Sequence, residues 1–116
     1  MEFMMLIYAD EQIYEGRSEA QMAELMAAYD AYTRELTQAG VMRGGSELAS
    51  VRKARTVRIR KGVPAVTDGP FAKTKECLGG YILIDCPSMD EALRWAARCP
   101  SAPDGAIEVR PLVVNS

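Results

Sequence analysis

The sequence predicts an α+β fold, in which two helices cover one face of a mainly antiparallel sheet. Apolar runs of strand length occupy residues 3–9 and 80–86. Two helices are expected to begin at Ser18 and Ser88, each followed three residues later by Gln or Glu, as in a capping box. Strands and helices therefore alternate in the order βαββαβ, which is the order of a ferredoxin-like sandwich.

The first half of the chain predicts a strand, a helix and a second strand. The continuous apolar run at residues 3–9 is typical of a strand covered on both faces. Apolar side chains then recur at helical spacing after Ser18, and Gly40 is expected to end that helix as a left-handed C′ residue. Residues 41–48 follow as a strand that Gly44 and Gly45 weaken.

The second half predicts three strands, one further helix and a last strand. Charged and apolar residues alternate over 55–60, which indicates a half-exposed strand, and Gly62 and Val63 are expected to turn the chain. Asp68-Gly69-Pro70 is a second turn signal. The expected elements are strands 55–60, 65–67 and 80–86, a helix from Ser88 to about Cys99, and a strand at 107–114.

The pattern of apolar residues also predicts the oligomeric state. Two helices can cover only one face of the sheet, yet the strands at 3–9 and 80–86 are apolar on both faces. A second copy of the chain is the simplest cover for the other face. We therefore expect a homodimer with sheets packed face to face, a dimeric α/β barrel.

Length and charge limit the classes of function. The 116 residues fit one domain, 1–116, and the net charge of −2 gives no general attraction to nucleic acid or acidic membranes. The start has no basic region of a signal peptide, and no apolar run approaches the ~20 residues that cross a bilayer. The expected location is the cytoplasm.

The absence of histidine limits the chemistry. Because the sequence contains no histidine, it excludes a His general base, a Ser-His-Asp triad and His-ligated zinc. Cys77, Cys86 and Cys99 have no paired spacing, so we interpret them as reduced structural thiols. No metal and no other cofactor is expected, and any chemistry must use carboxylate, Lys, Arg, Tyr, Cys or backbone groups.

The densest motif is Asp68-Gly69-Pro70-Phe71, followed by Lys73, Thr74, Lys75 and Glu76. With it the chain resembles the DGPF branch of the YCII-related proteins. The resemblance implies a dimeric α+β barrel, in a superfamily that includes cofactor-free isomerases, lyases and monooxygenases of small organic acids and aromatics. It also implies a gene beside an extracytoplasmic-function sigma factor. The resemblance extends over residues 4–8, 81–85, 90–100 and 107–111.

One departure from that family concerns its proposed catalytic pair. Better-known YCII proteins resemble enzymes that use a His and an Asp. This chain has no His, and Cys99-Pro100 stands where those relatives carry Asp-Pro. The dyad is therefore not carried over to this sequence.

The candidate catalytic residues are Asp68 and Lys75, and the candidate ligand-binding residues are Tyr8, Tyr81 and Glu76. A lysine near Asp68 would keep the carboxylate ionised and could hold an anionic substrate. Each residue also has a structural interpretation. Asp68 would bond to its own turn, Lys75 and Glu76 would form an exposed ion pair, and the tyrosines would pack in the core.

Two functions remain open from the sequence. The first is a small-molecule-binding homodimer, which could be a cofactor-independent enzyme acting on a small organic acid. The second is a non-catalytic regulatory or partner-binding protein that works with a sigma factor. The basic stretch at 52–61 lacks interleaved aromatic residues, so we expect a solvated hairpin rather than specific nucleic-acid binding.

Overall fold

The structure, a computed structural model, describes residues 1–114. Its elements are β1 (Glu2–Ala9), α1 (Glu11–Glu15), α2 (Glu19–Gln38), β2 (Met42–Glu47), a 3-10 turn (Val51–Lys53), β3 (Arg55–Arg60), β4 (Val63–Asp68), β5 (Cys77–Asp85), α3 (Met89–Ala97) and β6 (Ala106–Pro111). Strands β2, β5, β1 and β6 form an antiparallel sheet in that order, while β3 and β4 pair only with each other. The ferredoxin-like prediction is confirmed, with β3 and β4 inserted between the second and third strands of the sheet.

The core lies between this sheet and helices α2 and α3. Side chains alternate across a strand, so β1 buries one set, Phe3, Met5 and Ile7, and leaves the other set half-buried. From α2, Leu36 is fully buried against the sheet, and Tyr32 is nearly so. The other core side chains from β5, α3 and the segments that follow them are Ile82, Ile84, Cys86, Ala92, Ala96 and Cys99.

Both predicted helix starts are present. Ser18 Oγ accepts a hydrogen bond from the Gln21 amide at 3.1 Å, and Gln21 Oε1 accepts one from the Ser18 amide at 2.9 Å. These bonds satisfy two amides that a helix start leaves unpaired. Gly40 follows α2 with φ of +76°, in the left-handed region that glycine enters without strain. Ser88 caps α3 by accepting from the Glu91 amide at 3.2 Å.

The second face of the sheet carries half-buried apolar side chains. Met4, Leu6 and Tyr8 of β1 point to it, and the register sets Leu83 opposite Met4 and Tyr81 opposite Leu6. We call this surface the open face. The sequence predicted that β1 and β5 would be covered on both faces, and within the chain itself the helices cover one of them.

The hairpin of β3 and β4, residues 55–68, is called the arm. Its two strands meet at Lys61 and Gly62, with φ of +51° and +78°, as in a two-residue turn with both central residues left-handed. Val63 therefore begins β4, although the sequence placed it in the turn. The arm is more exposed than the half-exposed strand predicted for 55–60, because it forms no part of the larger sheet.

Further differences from the sequence-based elements concern β5, β6 and α1. β5 begins earlier, at Cys77, and β6 ends at Pro111 rather than at 114. The short helix α1 was not expected, because its 5 residues are too few for a periodic pattern. Among residues 1–114, none of the helices combines the length and the apolar character needed to cross a bilayer.

Candidate functional site

A cavity of about 570 Å³ opens at the end of β1, beside the last residues of the loop that leads into β5. We call it the polar cavity, because most of its lining side chains are polar or charged. Ala9 at the end of β1 pairs with Cys77 at the start of β5, which brings the two segments together. The lining residues are Tyr8, Asp10, Ile13, Thr74, Lys75, Glu76, Asp104 and Ala106.

The sheet has an irregularity beside Tyr8. The register between β1 and β5 shifts after Ile7, which pairs with Gly80, while Tyr8 pairs with Leu78. Gly79 is thus the extra residue of a β-bulge, a feature that re-aims side chains and is common beside active sites. The Tyr8 hydroxyl lies 3.5 Å from Glu108 Oε1, at the long limit for a hydrogen bond.

Asp10 is the buried carboxylate of the polar cavity. It is 8% exposed and serves as the N-cap of α1, where its Oδ1 accepts a hydrogen bond from the Gln12 amide at 2.9 Å. Buried carboxylates are rare unless they are bonded or used. Asp10 is not among the site residues predicted from the sequence. The available signal was a carboxylate directly after a buried strand, at the start of a loop.

Lys75 and Glu76 also line the polar cavity, together with Tyr8, so three of the five predicted site residues come together there. Asp104 also lines the cavity and accepts a hydrogen bond from Arg17, whose Nη2 lies 2.5 Å from its Oδ2. Besides the paired Asp104, the lining residues thus include one lysine, two residues with carboxylates and a tyrosine. Such a set can bind an anion and move a proton.

Tyr81 and Asp68 lie outside the linings of the described cavities. Tyr81 is on the open face, paired in register with Leu6 on one side and Ser46 on the other. Asp68 ends β4 with 89% of its side chain exposed, 3.4 Å from the Nε of Arg55. The structure therefore does not bring these two residues together with Lys75 in one described cavity.

The Asp-Gly-Pro-Phe segment holds the base of the arm. Gly69 has φ of +98°, its amide donates to the Ala54 carbonyl at 2.7 Å, and its own carbonyl accepts from the Thr56 hydroxyl at 2.8 Å. The Arg58 guanidinium lies 4.5 Å from the centre of the Phe71 ring, a cation–π contact. These contacts account for the motif by geometry and packing.

A second cavity, of about 490 Å³, lies between the base of the arm and the sheet. It shares Tyr8 and Thr74 with the polar cavity, and its other lining is mainly apolar, so we call it the apolar cavity. Burial and the nearby Glu11 and Asp10 carboxylates raise the pKa of the Cys77 thiol in its wall. The space between the sheet and the helices is occupied by the core.

The chain can now be compared with known proteins. A model of the YCII-related domain matches residues 1–115. The chain belongs to the YCII-related family. An uncharacterised protein of Rhizobium meliloti (strain 1021) is 38% identical to it over 116 residues, which cover 98% of this chain and 94% of that relative.

Among solved structures, this YCII-related chain is similar to 5-chloro-2-hydroxyhydroquinone dehydrochlorinase from Burkholderia phenoliruptrix AC1100 in complex with 2,5-dihydroxybenzoquinone. The TM-score is 0.52 at 18% sequence identity, and the match covers 99% of this chain and 96% of that one. At this identity the likeness supports the fold, which is the ferredoxin-like fold predicted from the sequence.

The Cys99 thiol, at the position of the Asp-Pro discussed above, lies against the hydroxyl of a tyrosine. Tyr29 Oη lies 3.5 Å from Cys99 Sγ and 2.5 Å from Ser101 Oγ, to which Tyr14 also donates at 3.1 Å. Burial is the larger cause that raises the pKa of the Tyr29 hydroxyl, and the hydrogen bond with Cys99 is the second. The Tyr29 hydroxyl therefore keeps its proton at physiological pH, and the cluster joins α2 to the segment after α3.

Proposed function

We propose that this YCII-related protein is a homodimer that binds a small organic acid in the polar cavity and acts on it without a cofactor. The observation that carries the proposal is the presence of the buried Asp10 carboxylate and the Lys75 ammonium in the lining of one cavity. We place the protein in the cytoplasm, a location consistent with the free thiols of Cys77, Cys86 and Cys99.

The proposed chemistry is binding followed by proton transfer. Lys75 holds the anionic oxygen of the ligand through a charge-assisted hydrogen bond. Asp10 or Glu76 takes a proton from the bound acid and returns it at another atom, so that the carboxylate is regenerated. Tyr8 donates its hydroxyl to an oxygen of the ligand. Each of these groups lines the polar cavity.

Hydroxylated rings are the first ligands to test. The dehydrochlorinase of similar fold is described in complex with 2,5-dihydroxybenzoquinone, a small acidic ring compound. Each hydroxyl of this quinone is conjugated to a ring carbonyl and is therefore acidic, so the anion that it forms would suit Lys75. Benzoate provides an acid of similar size without ring hydroxyls.

The ligand test uses titration calorimetry with 2,5-dihydroxybenzoquinone and with benzoate. We expect saturable binding of at least one of them, and a loss of about tenfold or more in Lys75→Met, because a hydrogen bond to a charged group contributes about 1.5–3 kcal/mol. Lys73→Met is the matched control, since Lys73 lies in the same loop but outside both described linings. Absence of binding, or equal losses in both variants, would overturn the proposed site.

The dimer part of the proposal is supported by the open face. Half-buried Met4, Leu6 and Leu83 lie together there, and a second copy packed on them would remove this apolar surface from water. Light scattering at micromolar concentration should give about twice 12.7 kDa. Leu6→Lys should dissociate the dimer, whereas Met26→Lys, at a side chain 66% exposed on α2, should not. A wild-type monomer would refute the dimer.

A second candidate is the non-catalytic protein that binds a regulatory partner such as a sigma factor. The exposed apolar side chains of the arm favour it, because large exposed apolar groups mark interaction surfaces. Saturable ligand binding that depends on Lys75 favours the first proposal. A purified sigma factor that binds the chain and is released by changes in the arm favours the second.

A further inference from the structure

We infer that the arm of one subunit packs against the acidic body of a second copy of this chain. The inference rests on the proposed homodimer and adds to it a second contact surface, separate from the open face. It also gives a function to the Asp-Gly-Pro-Phe segment, which fastens the base of the arm.

The arm exposes more apolar surface than its own subunit explains. Val57, Ile59, Val63 and Val66 are 61%, 65%, 63% and 60% exposed. The radius of gyration is 16.2 Å, whereas a compact chain of this length is expected near about 13 Å. A two-stranded hairpin is at best marginally stable in water unless it packs against another element. The arm therefore needs a cover that its own subunit does not supply.

One face of the arm is suited to contact. Val57 pairs with Val66 and Ile59 pairs with Pro64, so these four apolar side chains form one continuous stripe. We call it the arm stripe. The opposite face carries Arg58, whose guanidinium stacks on the Phe71 ring. It also carries Arg60 and Val63, which lie opposite each other on the two strands. Only the arm stripe is both apolar and free of interrupting charge along its length.

Charge identifies a second copy as the occupant. The arm holds four of the 14 Lys and Arg residues and one of the 16 Asp and Glu residues, so its formal charge is +3 and that of the rest of the chain is −5. The body of a second copy thus attracts the arm, while two arms repel each other. Nucleic acid would match the charge but would leave the arm stripe in water.

The direction of the arm is set before any partner binds. Its base is held by the Gly69–Ala54 hydrogen bond, and the preceding turn is bonded to α1, where Ser50 Oγ donates to Glu11 Oε2 at 2.9 Å. Arg52 also pairs with Glu15. These contacts fix the base of the arm relative to α1.

The test compares two substitutions that change charge equally on opposite faces of the arm. Ile59→Glu alters the arm stripe, and Val63→Glu alters the other face at a side chain of similar exposure. Dimer dissociation constants come from analytical ultracentrifugation. We expect Ile59→Glu to raise the dissociation constant about tenfold or more, and Val63→Glu to change it less than threefold. Equal effects of the two variants would overturn the inference.

Hydrogen exchange supplies a measurement that does not depend on variants. Backbone amides of residues 63 and 65–68 should exchange slowly in the wild-type dimer and rapidly after dilution to monomer, while amides of β1 stay protected in both. Equal protection of the arm in monomer and dimer would overturn the inference. If Leu6→Lys dissociates the dimer and Ile59→Glu does not, the arm contact alone is refuted. If the wild-type protein is a monomer, both the proposed dimer and the arm contact are refuted.

Discussion

The Nε atom of Arg55 lies 3.4 Å from Oδ1 of Asp68, at the pair of residues that closes the base of the arm. The two side chains are 76% and 89% exposed, so the pair lies in water. An exposed ion pair contributes about 0–1 kcal/mol to stability. The charge of Asp68 thus contributes little to the stability of the subunit, although the backbone of Asp68 is part of the β3–β4 ladder.

Asp68→Asn tests the role that the sequence predicts for this carboxylate. Because Asp68 lies outside both described cavities, we expect ligand binding to change less than twofold and the free energy of unfolding to fall by less than about 1 kcal/mol. Calorimetric titration and urea denaturation measure the two effects. A tenfold loss of binding at unchanged stability would instead support Asp68 as a functional group.

Gly105→Ala tests the packing that supports Tyr8. A methyl group at Gly105 would lie 2.1 Å from the Tyr8 carbonyl oxygen, which is backbone and cannot rotate away. We expect a destabilisation of about 2–3 kcal/mol in urea denaturation. Gly16→Ala is the control, because its methyl group would meet the Gln12 carbonyl oxygen at 3.5 Å, an ordinary contact. Equal stability of both variants would contradict the close approach of Gly105 to β1.

Tyr29→Phe tests the hydroxyl cluster by its pH dependence. Burial raises the pKa of Tyr29 above its ordinary value near 10. Above that pH the unfolded chain releases a proton that the folded chain retains, so stability falls as the pH rises further. We expect the wild type to lose stability above about pH 10, and Tyr29→Phe to show a smaller slope there. At pH 7 the variant should lose about 1 kcal/mol, the hydrogen-bond contribution alone.

The result that would contradict this interpretation is an identical alkaline slope in the two proteins. Chemical denaturation at several pH values between 7 and 11.5 gives the slopes. Tyr32→Phe is a useful second variant, because burial also raises the pKa of Tyr32, whose hydroxyl donates to the Trp95 carbonyl at 2.6 Å.

Alkylation of Cys77 tests the environment of the apolar cavity. Burial, followed by the Glu11 and Asp10 carboxylates, raises the pKa of this thiol, and only the thiolate reacts rapidly. We expect iodoacetamide to label Cys77 several-fold more slowly at pH 7 than in the urea-unfolded chain, and faster as the pH rises. Mass spectrometry of the labelled peptide measures the rate. Glu11→Gln should raise it at a fixed pH, and folded and unfolded rates that agree at pH 7 would refute the prediction.

Metal removal tests the expectation that no metal is required. The sequence has no His. In the proposed site, Lys75 would hold the ligand without a metal. Treatment with EDTA followed by gel filtration should leave the melting temperature and the ligand titration unchanged. A stoichiometric zinc or iron ion that survives this treatment would show the expectation to be wrong.

Local sequence patterns alone were enough to predict the two longer helices, α2 and α3, and the class of fold. Ser18 bonds to a residue three positions away, and Gly40 accepts a backbone conformation that other residues avoid, so neither depends on distant parts of the chain. The alternation of apolar side chains likewise follows from the geometry of a strand. These signals involve neighbours in sequence, and a single sequence therefore determines them.

The site and the arm were decided by tertiary structure. Asp10 and Lys75 lie far apart in sequence and line one cavity only because β1 pairs with β5, and no local pattern encodes that pairing. The exposure of the arm has the same cause, since residues 55–60 have an ordinary strand pattern whether or not the strand joins the main sheet. Long-range pairing chooses between these outcomes, because it depends on the burial gained by the whole chain rather than by one segment.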